Sequence, residues 1–194
     1  MSFTYPTIEL ELPAWMADFI SAWDRPFATA ADRMHLAIAL SAENVRRGTG
    51  GPFGAAVFSM DEQRLVAPGV NIVTTANVSC AHAEIMAITM AQQIVGNFDL
   101  SSCGEFELVA STAPCAMCLG SIPWSGIKRL VCGASGADAE AIGFDEGAKP
   151  LEWQERLQER GIEVLVDVER EAAASVLTTY AAGGGEIYNA GGAN

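Results

Sequence analysis

The sequence predicts an α/β fold, a three-layer α/β/α sandwich around a central mixed sheet of five strands. Three observations carry this. Short apolar runs alternate with longer segments of helical periodicity. The chain has 194 residues, half of them hydrophobic and 18% charged, enough to bury one sizeable core. No internal repeat or linker divides it. One domain over residues 1–194 is therefore expected, with an N-terminal helical extension over about 1–28 and a Gly-rich tail over about 183–194.

Trp15, Phe19 and Trp23, four apart, make 13–25 a short amphipathic helix. A second helix is expected over about 29–47, with Met34, Ile38, Ala42 and Val45 on one side and "GTGGPFG" ending it. The runs "FGAAVF" (53–58) and "RLVAPGVNIV" (64–73) read as strands joined at "SMDEQ". From Ala83 to Val95 apolar residues surround most of a helix, leaving a narrow polar stripe at Thr89, Gln92 and Gln93; Gly96 supplies its stop. "FELVAS" (106–111) is a strand, "CAMCLGSIPW" (115–124) a short helix and "IKRLVCGAS" (127–135) a strand. A Gly- and acid-rich loop covers 136–149, followed by a helix at 150–160, a strand at 162–168 and a helix at 169–182. The tail "GGGEIYNAGGAN" carries one adhesive group, Ile187-Tyr188-Asn189.

Composition narrows the function. Eleven Lys plus Arg stand against 24 Asp plus Glu, a formal net charge of −13, and the basic residues are scattered. That balance argues against a nucleic-acid partner, which needs clustered cations, and for a small neutral substrate. No apolar run approaches the ~20 residues needed to span a bilayer, and "MSFTYPTIELELPAWM" lacks the regions of a secretory signal. No membrane association is expected. Five cysteines, an odd number, predict reduced thiols and a cytoplasmic location.

The chemistry resides in two stretches. In "STAPCAMCLGSI", Cys115 and Cys118 lie three apart, on nearly one face of a helix whose first turn Pro114 introduces. A helix N-terminus stabilises thiolates, the form that binds zinc. In "SCAHAEIMAITM", His82 supplies a third ligand, and Glu84 stands two residues beyond it. Residues two apart cannot share the flank of a helix, so His82 and Glu84 converge on one site only at a helix tip. A zinc held by one imidazole and two thiolates lowers the pKa of a bound water to roughly 7, and Glu84 then serves as the proton carrier. Two alternatives remain open at this point. Cys80 is near enough to be a fourth ligand of a structural zinc in a non-catalytic interaction module, and a Cys-x-x-Cys can be a redox pair. The combination of His-x-Glu with Pro-Cys-x-x-Cys, however, is the signature of zinc-dependent base deaminases.

With these motifs, the chain resembles the cytidine-deaminase-like superfamily and, within it, the bacterial guanine deaminase branch, including the subgroup that also deaminates ammeline. The likeness rests on "GGPFGAAVF", "VNIVTTANVSCAHAEIMAI", "PCAMCLGSIPWSG" and "EAIGFDEG". It implies a homodimer with one zinc per subunit, acting on a small heterocyclic base and turning guanine into xanthine plus ammonia. Ammeline, cytosine or a nucleoside are the alternative substrates. The resemblance makes His82, Cys115 and Cys118 the zinc ligands, Glu84 the main proton shuttle and Glu146 a second acid. Asn71 would hydrogen-bond the base, the Ala83 N–H would hold a substrate acceptor, and Phe53 and Trp124 would line the pocket. It also implies a C-terminal segment that closes the site, often swapped between subunits, with Tyr188 over the substrate of the neighbouring protomer. One departure is Ala113, where relatives carry Glu before the Pro-Cys; this bears on substrate preference rather than on zinc binding.

Overall fold

Alternation along the strands decides the layers. The computed structural model describes residues 4–192. Its elements run α1 (Trp15–Ser21), α2 (Ala30–Arg47), β1 (Gly54–Ser59), β2 (Arg64–Val70), α3 (Val73–Ala76), α4 (Ala83–Val95), β3 (Phe106–Thr112), α5 (Ala116–Ser125), β4 (Arg129–Ala134), α6 (Gly136–Glu140), α7 (Trp153–Gln158), β5 (Glu163–Leu165) and α8 (Arg170–Ala182). The sheet order is β2-β1-β3-β4-β5. β1 is antiparallel to both β2 and β3, while β3, β4 and β5 run parallel. This is the mixed five-stranded sheet that the sequence predicts.

Successive side chains on a strand point to opposite faces. Ala55, Val57, Leu108, Ala110, Leu130 and Cys132 face one way and pack with Ala87 and Ile88 of α4, Ile122 of α5 and Leu157 of α7. Ala56, Phe58, Val109 and Val131 face the other way, against Trp15 of α1 and Met34, Leu36 and Leu40 of α2. β1 and β3 are buried along their whole length, which is why they read as continuous apolar runs. Among the described residues no helix is long and apolar enough to cross a membrane.

Four expectations are corrected. The apolar side of α2 does not run through Ala42, which is exposed; its buried residues include Met34, Ala37, Leu40, Ser41 and Asn44. Ser41 and Asn44 can be buried because they donate to the carbonyls of Pro52 (2.7 Å), Gly51 (2.9 Å) and Asn71 (2.8 Å). The strand expected over 64–73 stops at Val70; the Asn71 side chain accepts from the Val73 N–H at 3.2 Å and turns the chain into α3. The loop over 136–149 contains α6, started by a capping box between Ser135 and Asp138. The strand expected over 162–168 shortens to β5, since Asp167 and Glu169 adopt positive φ (60° and 54°) and break the extended run.

Candidate active site

The site forms where two helices begin. α4 starts after His82, whose backbone is extended (φ −72°, ψ 157°), and Glu84 lies in its first turn. α5 starts after Cys115, also extended (φ −65°, ψ 171°), with Cys118 buried in the turn that follows. β3 and α4 are neighbours across the same face of the sheet, so their ends bring residues 33 apart in sequence together: Cys115 Sγ lies 3.6 Å from His82 Nδ1. The ligand atoms of His82, Cys115 and Cys118 all lie within 4.8 Å of one another.

This donor set fits zinc. Bonds of about 2.0–2.3 Å in a tetrahedron separate ligand atoms by roughly 3.5 Å, close to the His82–Cys115 spacing. Two sulfurs and one imidazole leave a position open, as a catalytic zinc requires. Cys80 is exposed and outside the cluster, and Cys132 is buried within β4. The four-ligand structural site is therefore not formed among the described residues. The electrostatics agree with metal binding. A hydrogen bond from Cys118, helped by His82, pulls Cys115 down despite burial, the direction that favours the thiolate. The hydrogen bond to Cys115, burial and Glu84 push Cys118 up. Burial pulls the His82 ring down, but Cys115 and Glu84 outweigh it and the net shift is upward.

A cavity of about 40 Å³ adjoins the cluster, lined by Phe53, His82, Glu84, Thr112, Ala113, Cys115, Phe144, Asp145, Glu146 and Tyr188. Burial, reinforced by negative Cys115, raises Glu84 above the usual carboxylate range. Glu146 is 6% exposed. Burial raises it to about 7, with Lys149 at 3.5 Å pulling the other way. One face is aromatic: Phe144 meets Phe53 edge-on at 5.0 Å and Tyr188 at 5.0 Å.

The other expected residues divide. Asn71 is fully buried and does not line the cavity; its N–H donates to the Phe53 carbonyl at 3.1 Å, and its Nδ2 has no hydrogen-bond partner. Ala83 opens α4, so its N–H has no acceptor within the helix. Trp124 sits near the far end of α5, 85% exposed, and is not among the residues lining the cavity of this chain. Tyr188 lies in its own chain's cavity, where the resemblance implied a neighbouring protomer's. Asn189 anchors it there, accepting from the Asp145 N–H at 3.0 Å and donating to the Gly143 carbonyl at 2.8 Å. The Tyr188 hydroxyl is buried and unpartnered. Sequence reasoning did not single out Thr112, Phe144, Asp145 or Lys149. Phe144 and Asp145 stand within the quoted "EAIGFDEG", which was the available signal.

Residues 28–134 match the family model for the zinc-binding region of cytidine and deoxycytidylate deaminases. The guanine deaminase of Bacillus subtilis (strain 168) is 39% identical over 126 residues, 65% of this chain and 78% of that one. Among solved structures, the guanine deaminase from Nitrosomonas europaea matches at 39% identity with a TM-score of 0.86, over 93% of this chain and 100% of that one. A structure solved in complex with 2,6-diaminopurine matches at 42% identity with a TM-score of 0.87, over 95% of this chain and 97% of the other.

Proposed function

The chain belongs to the cytidine and deoxycytidylate deaminase family of zinc-dependent hydrolytic deaminases, and from that premise we propose that it deaminates free guanine to xanthine and ammonia. The observation that carries this reading is the three-ligand cluster with no fourth protein ligand among the described residues and with Glu84 in the same cavity wall. That is a site for turnover rather than for a structural zinc. The substrate class is supported by the guanine deaminase relatives and by the structure with bound 2,6-diaminopurine.

His82, Cys115 and Cys118 would hold a zinc ion, which when bound would supply Lewis acidity to make a water nucleophilic near neutral pH. As the carboxylate, whose proton affinity burial raises, Glu84 accepts a proton from the attacking water and passes it to a ring nitrogen of the base. It then takes the proton of the hydroxyl now on C2 and delivers it to the departing amine. In balance, the bond from C2 to the amine breaks, a bond from C2 to the water oxygen forms, and ammonia leaves. Glu146, raised to about 7, is the second proton carrier. Phe53 supplies an apolar wall, and the unpartnered Asn71 Nδ2 and the Ala83 N–H, which lie outside the wall of the closed cavity, are the donors assigned to the base once the cavity is open. The cavity has room for a water molecule or two but not for a purine. Tyr188 therefore moves aside to admit the base and covers it afterwards.

Residues 1–194 act as one deaminase domain, whose tail from about 183 closes its own site. The protein works in the cytoplasm as a homodimer. Exposed Ile94 (64%), Phe98 (81%) and Trp124 (85%) supply apolar surface for the partner, and the charge of −13 disfavours nucleic acid.

The test is ammonia release by zinc-loaded protein from guanine, ammeline, guanosine, cytosine and adenine. Guanine is expected to lead. Glu84→Gln should keep its zinc and lose roughly a hundredfold to ten-thousandfold in kcat. Inactivity of the wild type on guanine, or full activity of Glu84→Gln, would overturn the reading.

A further inference from the structure

Lys149 belongs to neither sequence motif, yet its ammonium stands where the parts of the site meet. Nζ donates to the carbonyl of Pro114 at 2.9 Å, the residue just before the ligand Cys115. It lies 3.5 Å from Glu146 Oε2 and 5.5 Å from the centre of the Trp153 ring. The Lys149 side chain is 14% exposed and that of Glu146 7%. A cation this deep persists only where its partners replace lost hydration, and here a carbonyl, a carboxylate and a ring face do so.

The surroundings leave space for it. At Gly136 an added Cβ would come 3.1 Å from Nζ, a tight approach, and 3.5 Å from Glu146 Oε2, an ordinary contact, so a side chain there would press on Nζ. On the other side of Cys115, the Ala116 N–H donates to the Glu146 carbonyl at 2.9 Å. The loop carrying Glu146 is thus tied to the metal-binding turn by two bonds that bracket Cys115: Lys149 to Pro114, and Ala116 to Glu146. The turn's other backbone bond, from the Ala113 N–H to the Ala134 carbonyl at 2.8 Å, holds it to β4 and not to the Glu146 loop. Pro114 has no N–H and Ala113 has no polar side chain.

We propose that Lys149 is a positioning residue, a strut that locks the Glu146 loop to the Cys115 turn and holds the second acid at a fixed spacing from the metal-binding thiol. The kinetic part of this inference rests on the deaminase reading; the geometric part does not.

Lys149→Met keeps the aliphatic stem and removes the donors, while Lys149→Arg keeps charge and donors. In metal-free protein, amide hydrogen exchange at Ala116 should quicken in Lys149→Met and return towards wild type in Lys149→Arg, because one of the two bonds between that turn and the Glu146 loop is gone. With zinc loaded at wild-type stoichiometry, Lys149→Met should lose about tenfold to a hundredfold in kcat on guanine while KM changes far less. Gly136→Ala crowds Nζ with Lys149 still present and should quicken Ala116 exchange in the same direction, by less; it answers the question even if Lys149→Met fails to fold. Wild-type Ala116 protection in whichever of these variants folds overturns the strut. So does a loss of kcat that merely tracks lost zinc. Since the exchange measurement needs neither zinc nor substrate, an inactive wild type would overturn the guanine reading alone.

Discussion

Gly69 in β2 sets how closely α4 can lie on the sheet, and Gly69→Ala tests that. A methyl at this position would come 2.3 Å from the Ala83 carbonyl oxygen and 2.5 Å from the Ala87 nitrogen, against ordinary contact from 3.4 Å upward. The shortfall at the first atom is 3.4 minus 2.3, or 1.1 Å. β2 is held by its ladder to β1, where Gly69 pairs with Ala55, so the helix must give way. Overpacking of this kind costs about 1–3 kcal/mol. At about 2–4 °C per kcal/mol for a chain of this size, Tm should fall by about 2–12 °C. The functional consequence is larger than the thermal one. His82 and Glu84 sit at the tip of α4, and a metal site tolerates displacements of about 0.2 Å. Zinc affinity should therefore drop at least about tenfold. Calorimetry of the metal-free protein reads the first effect and zinc titration against a competing chelator reads the second. A Gly69→Ala protein with wild-type Tm and wild-type zinc affinity would refute the claim that β2–α4 approach positions His82.

The other predictions concern charge and ligand identity. Glu107 is 1% exposed and pairs with Arg33 and with Arg129 at 2.7 Å; Glu107→Ala leaves the buried Arg33 without its counter-ion and should cost about 3–5 kcal/mol, read from the urea midpoint. Asp138 is held at about 2 by hydrogen bonding to Arg170 and to Ser135. A folded value below the ordinary value of about 3.9 means that its contribution is complete above that pH and is lost as pH falls towards about 2. Because Arg170 is nearly half exposed, solvent screens the pair and its contribution is small. Arg170→Ala should flatten the decline of stability between those two pH values while changing little below them; an unchanged slope would rule out this pairing as its source. Cys80→Ser should bind zinc one-to-one like the wild type and Cys118→Ser should not, as measured by metal analysis after dialysis.

Much of this was legible before any coordinates. The boundaries of α4 follow from its apolar composition and the stop at Gly96, which adopts φ 74° as a helix terminator does. The His82–Glu84 offset required a helix tip, and residues 82–84 do occupy one. The side of α2 was misread for a physical reason. Hydrophobicity locates a buried face only when buried polar groups lack distant partners, and Ser41 and Asn44 have them in Pro52, Gly51 and Asn71. Trp124, assigned to the pocket by resemblance alone, lies near the end of α5 away from Cys115 and is exposed in this chain.

The sequence alone determined the kinds of groups and their local geometry: an imidazole and a carboxylate two apart, two sulfurs three apart, each set at a helix start. These are properties of a few consecutive residues and of helical periodicity. Tertiary structure decided which groups meet. It excluded Cys80 from the cluster, seated Tyr188 in its own chain's cavity, buried Lys149 between Pro114 and Glu146, and made Gly69 the limit on helix approach. The reason is that such contacts depend on how segments far apart in the chain cross the sheet, and spacing along a sequence carries no record of that path.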